Sequence, residues 1–213
     1  MTGNCHVRFL GGKGNRMSKD VFIYRVDSID TIISVSDNWC TFADANAWGG
    51  SLRPEDVIGH KLWDFIQDNE TRLLYQELFK RVRGGTLLRT IPFRCDSPSE
   101  RRYLELLIVA LPDNQIEITS KILRTAPHGP INLLKADTPR SMDIVTICSM
   151  CKKIKVSQEQ WAEIEEGLVH LRLFEADEMP QLSHGMCQSC YHDALGELDN
   201  LISSNKAIDI DKE

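Results

Sequence analysis

Four cysteines in the last third of the chain have the spacing of a metal-binding set. They form Cys148-x2-Cys151 and, 35 residues later, Cys187-x2-Cys190. A Cys-x-x-Cys turn aims two sulfurs at one point, and two such turns supply the four soft ligands of a closed structural zinc site. Four thiolates and one Zn²⁺ carry a net charge of −2, which Lys152, Lys153 and Lys155 beside the first pair would offset. A small module of this kind has little core, so metal binding would be a main source of its stability, about 10–16 kcal/mol for structural zinc in peptides.

Other chemistries use the same residues. Iron–sulfur clusters take four cysteines as well, and spacing does not separate the two. Thiol–disulfide exchange usually places Cys-x-x-Cys at a helix start in a βαβ context, which the sequence does not offer. Covalent haem needs His directly after the second Cys, but Tyr191 follows Cys190 and His192 comes one place late. His184, three residues before Cys187, is an alternative ligand, and His170 a weaker one. Four cysteines leave no open position for a catalytic water. Cys5, Cys40 and Cys95 are scattered singly, and Cys40 and Cys95 read as small buried hydrophobes.

The spacer between the pairs carries a helix signal. Ser157-Gln158-Glu159-Gln160 matches a capping box, and Trp161, Ile164, Leu168 and Leu171 then fall on one helical face. A second helix is expected from near Cys187 to about Ile202. The module therefore reads as small and mostly helical. Residues 141–213 hold 6 Lys+Arg against 14 Asp+Glu, a net −8, which speaks against broad binding to nucleic acid.

The larger part of the chain precedes this module. Val21–Tyr24 and Thr31–Val35 are β-rich runs around a polar turn and read as a hairpin. Asp37–Ala47 reads as a short helix, with Trp39 and Phe42 on one face. The best-marked helix runs from about Glu70 to Arg83, with Asn69 as its N-cap and Gly84-Gly85 as its stop. Leu87–Cys95, Arg102–Leu111 and Gln115–Leu123 follow as strands, the last two joined at Pro112-Asp113-Asn114. Two strands, helices, then three strands predict an α+β domain. Arg101-Arg102 and Lys80-Arg81 read as solvated faces.

Residues 1–20 read as a flexible N-terminal arm, 21–125 as the α+β domain, 126–141 with three prolines as a linker or a packed connector, 142–204 as the four-cysteine zinc-binding module and 205–213 as a tail. There is no phosphate-binding loop, Gly-x-Ser-x-Gly or His-Glu-x-x-His. No apolar run approaches the roughly 20 residues of a membrane span. Without an export signal, the cytoplasm is the expected compartment.

The stretch Ile147–Ile154, with Trp161, Glu165, His170 and Phe174, and then Ser183-His184-Gly185-Met186-Cys187-Gln188-Ser189-Cys190, resembles a cysteine module of bacterial signalling proteins. It departs from that pattern in a longer stretch at Glu175–Leu182 and in Gln188. Residues 21–124 resemble a PAS domain, in element order and in Val57–Ile66 before the long helix. The segment Phe93–Pro98 with Arg101-Arg102 is similar to one PAS-like bacterial subset. These resemblances imply a five-stranded antiparallel sheet with a helical insert, homodimerisation through the PAS-like domain, and a protein partner in a signalling pathway. They also imply a small ligand, of unknown identity, between sheet and helices. Trp39, Phe42, Trp63 and Phe79 are its candidate lining, although aromatic residues there are more often plain core. His60 is a lesser candidate, for haem.

The reading that follows is a non-enzymatic sensory or adaptor protein. A thiol redox sensor or oxidoreductase and a nucleic-acid-binding zinc protein are the alternatives.

Overall fold

The computed structural model describes residues 20–40, 53–66, 68–87, 90–135, 137–194 and 196. The expected arm, the tail and Phe42 lie outside these residues, as does most of the 37–47 helix.

Strands β1 (Val21–Val26) and β2 (Ile32–Val35) pair antiparallel as the expected hairpin. A short helix α1 (Pro54–Val57) and a 3₁₀ turn at Leu62–Asp64 lead to the long helix α2 (Asn69–Arg83). Strands β3 (Ile91–Arg94), β4 (Glu100–Ala110) and β5 (Ile116–Pro127) complete a sheet of order β2-β1-β5-β4-β3, antiparallel throughout. This is the PAS-like sheet with its helical insert between β2 and β3.

Alternation fixes the buried face. Arg102, Leu104, Leu106 and Ile108 of β4 point inward, as do Ile116 and Ile118 of β5, because successive strand side chains face opposite ways. Leu74, Leu78, Phe79 and Val82 of α2 cover that face. The helix begins one residue before the expected start. Asp68, not Asn69, is the N-cap, and its carboxylate accepts the Thr71 N–H at 2.7 Å. Gly85, at φ 91°, turns the chain out of the helix in a conformation that side chains disfavour.

Of the two readings of 126–141, linker or packed connector, the structure shows the packed one. β5 runs on to Pro127, and Ile131 and Leu133 are buried in a second core together with Val145, Ile147, Ile154, Ile164 and Leu168. Their apolar side chains anchor the proline-rich segment.

The cysteine module is built on strands and is not mostly helical. Strands β6 (Arg140–Cys148), β7 (Ile154–Lys155), β8 (Trp161–Ala162) and β9 (Met179–Gly185) form a second sheet of order β8-β7-β6-β9. The helix of its spacer is α3 (Ile164–His170), which starts after Glu163 rather than Ser157. The Ser157–Gln160 stretch instead closes the β7–β8 turn, with the Val156 N–H donating to the Gln160 carbonyl at 2.9 Å. Trp161 therefore pairs with Lys155 in a strand instead of opening a helix. Residues 188–194 are helical, in keeping with the expected second helix start. Among the described residues no helix is long and apolar enough to cross a membrane.

Candidate metal centre

The two cysteine turns meet because β6 and β9 run parallel. Their register pairs Ile147 with His184 and Cys148 with Gly185, so both strands end at the same level. Each chain then turns at its C-terminal end. After β6, Ser149 and Met150 bring Cys151 back beside Cys148. The Cys148 N–H donates to the Lys153 carbonyl at 2.8 Å, and Lys152 takes up the left-handed conformation at φ 63°. After β9, Met186 leads to Cys187 at a helix start, where the Tyr191 N–H donates to the Cys187 carbonyl at 3.0 Å. The Ser149 N–H donates to the Gly185 carbonyl at 2.8 Å and stitches the turns together.

One ligand atom from each of Cys148, Cys151, Cys187 and Cys190 lies within 4.8 Å of the others. The Cys151 and Cys187 sulfurs are 3.7 Å apart. A tetrahedral zinc with Zn–S bonds of about 2.3 Å needs S–S edges of about 3.8 Å, so the donor set fits one such ion. The Cys187 N–H points at the Cys148 sulfur at 3.4 Å, a contact that supports a thiolate. Cys148 and Cys187 are buried, while Cys151 and Cys190 are half-buried, and all four are free thiols.

The sulfurs polarise one another. Hydrogen bonds from Cys151 and Cys190 push the Cys148 thiol well below its ordinary value. Donation to Cys148 pushes Cys151 up to about 12 and Cys190 up further. Thiols this close do not ionise together unless a cation offsets their charge.

His184, the alternative ligand, stands outside the four-sulfur cluster. It lies one residue before Gly185 at the end of β9, and its side chain reaches the surface. Loss of solvent on its inner side, and then Lys152, pull the imidazole below its ordinary value. His170 closes α3 and is exposed. Lys152 folds back, its amine donating to the Ser149 carbonyl at 2.9 Å. Cys95 is a free thiol raised by burial, and Cys40 is half-buried.

The aromatic residues of the PAS-like domain pack against one another. Trp63 meets Phe79 at 5.7 Å between centroids and donates its indole N–H to Asp30 at 3.1 Å. Trp39 meets Tyr24 edge-on at 6.2 Å. Phe79 is fully buried, and Trp39 and Trp63 pack on the core from its rim. His60 stacks edge-on with Phe65 at 6.4 Å.

No family model matches the chain, and no curated protein does. Among solved structures, a domain of an HTR-like protein from Haloarcula marismortui ATCC 43049 is similar at 16% identity, covering 50% of this chain and 100% of that one, with a TM-score of 0.32. The PAS domain of an HTR-like protein from Haloarcula marismortui is similar at 15% identity, covering 48% of this chain and 81% of that one, with a TM-score of 0.28. The strand order β2-β1-β5-β4-β3 and the helices inserted between β2 and β3 carry the PAS-like architecture.

The residues that tie the cysteine turns to the PAS-like domain escape sequence reading. Asp68, besides capping α2, accepts the Ser149 hydroxyl at 3.0 Å, and Glu70 accepts the Met186 N–H at 2.9 Å. Each carboxylate at the start of α2 thus holds one of the two turns. Met150 and Met186 are buried in the same core as Leu74 and Phe79. The Arg94 guanidinium bonds Asp96 and reaches Glu163 at 2.7 Å, and Arg101 forks onto Glu165 at 2.8 and 2.9 Å. Arg101 and Arg102 therefore do not form a solvated face. Arg102 is buried, and Arg101 bridges to α3. The sequence signal is a clustering of Arg94, Asp96, Arg101 and Arg102 around Pro98, which marks a charged site without naming its partners.

Proposed function

We propose that this chain is a non-enzymatic signal-sensing or adaptor protein in which a PAS-like input domain is coupled to a structural zinc module that makes protein contacts. The carrying observation is the grip of one helix start on both cysteine turns, through Asp68 to Ser149 and Glu70 to Met186. A displacement of α2 reaches the metal ligands without passing through a flexible link. The set of four thiols is closed, so zinc here shapes the module and presents no open position for substrate. Zinc is favoured over a cluster of several irons by the compact sulfur set, which has the spread of a single ion's ligands. The protein works in the cytoplasm as a homodimer through its PAS-like domain and hands its signal to a protein partner. Nucleic acid is disfavoured by the acidic C-terminal part.

Metal analysis and visible absorption on protein purified without added metal test the reading. One zinc per chain and no colour support it, and a brown cluster spectrum overturns the metal assignment. Sedimentation and affinity capture test the rest, and a monomer that captures no partner removes the adaptor role.

The half-buried Cys151 and Cys190 favour a second reading, a thiol redox sensor. It requires rapid zinc release and disulfide formation under mild peroxide, whereas a structural site releases zinc slowly.

A further inference from the structure

A cleft of about 410 Å³ opens between the start of α2 and the second sheet, beside the cysteine turns. Its size lies in the range of about 300–1,000 Å³ typical of small-molecule sites. Its lining draws on both parts of the chain. Asp68 and Glu70 come from the start of α2, Lys155 from β7, Trp161 from β8, and His184 and Gly185 from β9. Gly185 gives the cleft its floor. A Cβ there would stand 3.0 Å from the Thr146 methyl, 3.6 Å from the Glu70 carboxylate and 3.9 Å from the Trp161 ring. The glycine thus lets a carboxylate and an indole approach one point.

We propose that this cleft is a ligand site for a free amino acid with an aromatic or large apolar side chain. Asp68 and Glu70 supply acceptors for an ammonium. Each already accepts a hydrogen bond from a cysteine turn, but a carboxylate has about four acceptor positions. Lys155 and His184 supply donors for a carboxylate, and Trp161 a flat apolar surface for the side chain. Both signs of charge with one indole match a zwitterion better than a simple anion or amine. Glu70 is the coupling residue, because the oxygen that faces the cleft is the one that holds Met186, next to Cys187. The inference rests on the sensor reading and deepens it by naming where an input enters, at the junction and not inside the PAS-like core.

The test is titration calorimetry on the full metal-loaded chain with L-phenylalanine, L-tryptophan and L-leucine. Phenethylamine, lacking the carboxylate, and 3-phenylpropionate, lacking the amine, are the controls. At least one amino acid is expected to bind one per chain, with both controls at least about tenfold weaker, since a site built for a polar group rejects the analogue without it. Glu70→Gln removes the charge and keeps an acceptor for the Met186 N–H. Lys155→Glu changes an exposed side chain. Each is expected to weaken binding about tenfold or more while zinc content stays at the wild-type level. If Glu70→Gln loses its zinc, Lys155→Glu carries the test alone. No binding by any of the three amino acids, equal binding by a control, or wild-type affinity in Lys155→Glu overturns the proposal. Metal content and partner capture are read separately, so an empty titration leaves the adaptor reading standing.

Discussion

The backbone N–H of Arg94 donates to the carbonyl of Met150 at 2.7 Å, so the edge strand of the PAS-like sheet is bonded to the turn between Cys148 and Cys151. The same turn buries Met150 in the PAS-like core. The four cysteines are therefore part of the larger domain's packing, not an appendage to it.

Loss of a ligand should consequently be felt in both parts. Cys148→Ser or Cys187→Ser is expected to abolish stoichiometric zinc and to destabilise the second sheet, which has its own apolar core but ends in the two cysteine turns. It should also lower the melting temperature of the PAS-like domain, because Met150 and Met186 leave its core. Metal analysis with limited proteolysis checks this. A variant that loses zinc yet keeps a protease-resistant second sheet would show that the cysteines are dispensable to the fold.

Asp68 serves two turns at once. Asp68→Ala removes the α2 cap and the acceptor for Ser149, for a combined loss of about 1–3 kcal/mol. Asp68→Asn keeps a good cap and is expected to recover most of that loss. Zinc should transfer to a competing chelator faster in Asp68→Ala than in the wild type. Denaturant unfolding and chelator kinetics read the two effects separately, and an unchanged transfer rate would uncouple Asp68 from the metal site.

Much of this fold is legible in local sequence. Leu74, Leu78 and Val82 at four-residue spacing, ended by Gly84-Gly85, mark α2, and alternation along β4 and β5 marks the sheet. The four cysteines announce themselves by spacing and meet as expected. What stays hidden depends on partners far along the chain. Trp161 and Ile164 have helical spacing, yet Trp161 is claimed by the β7–β8 hairpin, whose pairing a periodicity argument does not see. The parallel pairing of β6 with β9 spans a long crossover and fixes where the cysteines meet. Ile131 and Leu133 lie between prolines in a stretch that composition leaves open between linker and packed connector, and the second core that closes around them decides it. Asp68 and Asn69 are both good caps by type, and only the bond to Thr71 decides between them.

Alkaline pH should destabilise the PAS-like domain through its tyrosines. Desolvation pushes the Tyr75 phenol up to about 12, and Tyr24 is raised well above its ordinary value, also by burial. A folded pKa above the unfolded value of about 10 means the neutral form is favoured in the fold. That stability is complete below about pH 10 and is lost as pH rises from there through the folded value of about 12. Tyr75→Phe removes one such group, so its alkaline unfolding midpoint is expected to move upward while stability at neutral pH changes little. Circular dichroism across the alkaline range reads this, and an unmoved midpoint would exclude Tyr75 as a source of alkaline sensitivity.

The ion network at the junction gives the last prediction. The Asp96 side chain is 1% exposed and depends on Arg94, whose guanidinium also holds Glu163 before α3. Burial works against the Arg94 charge, but Asp96 and Glu163 outweigh it and hold its pKa above the ordinary value, so the guanidinium is charged at every working pH. Arg94→Met leaves the buried Asp96 carboxylate with only the longer ion pair to Arg101 at 4.0 Å, a loss of about 3 kcal/mol. Arg94→Met combined with Asp96→Leu removes both charges and is expected to be more stable than Arg94→Met alone, because an apolar pair of similar volume replaces a buried ion pair at little cost. The Arg94 backbone bond to Met150 survives in both variants, so zinc should stay bound even where stability falls. Denaturant unfolding with metal analysis on the single and double variants separates side chain from backbone. Zinc loss in Arg94→Met would place the guanidinium, rather than the backbone contact, in control of the cysteine turn.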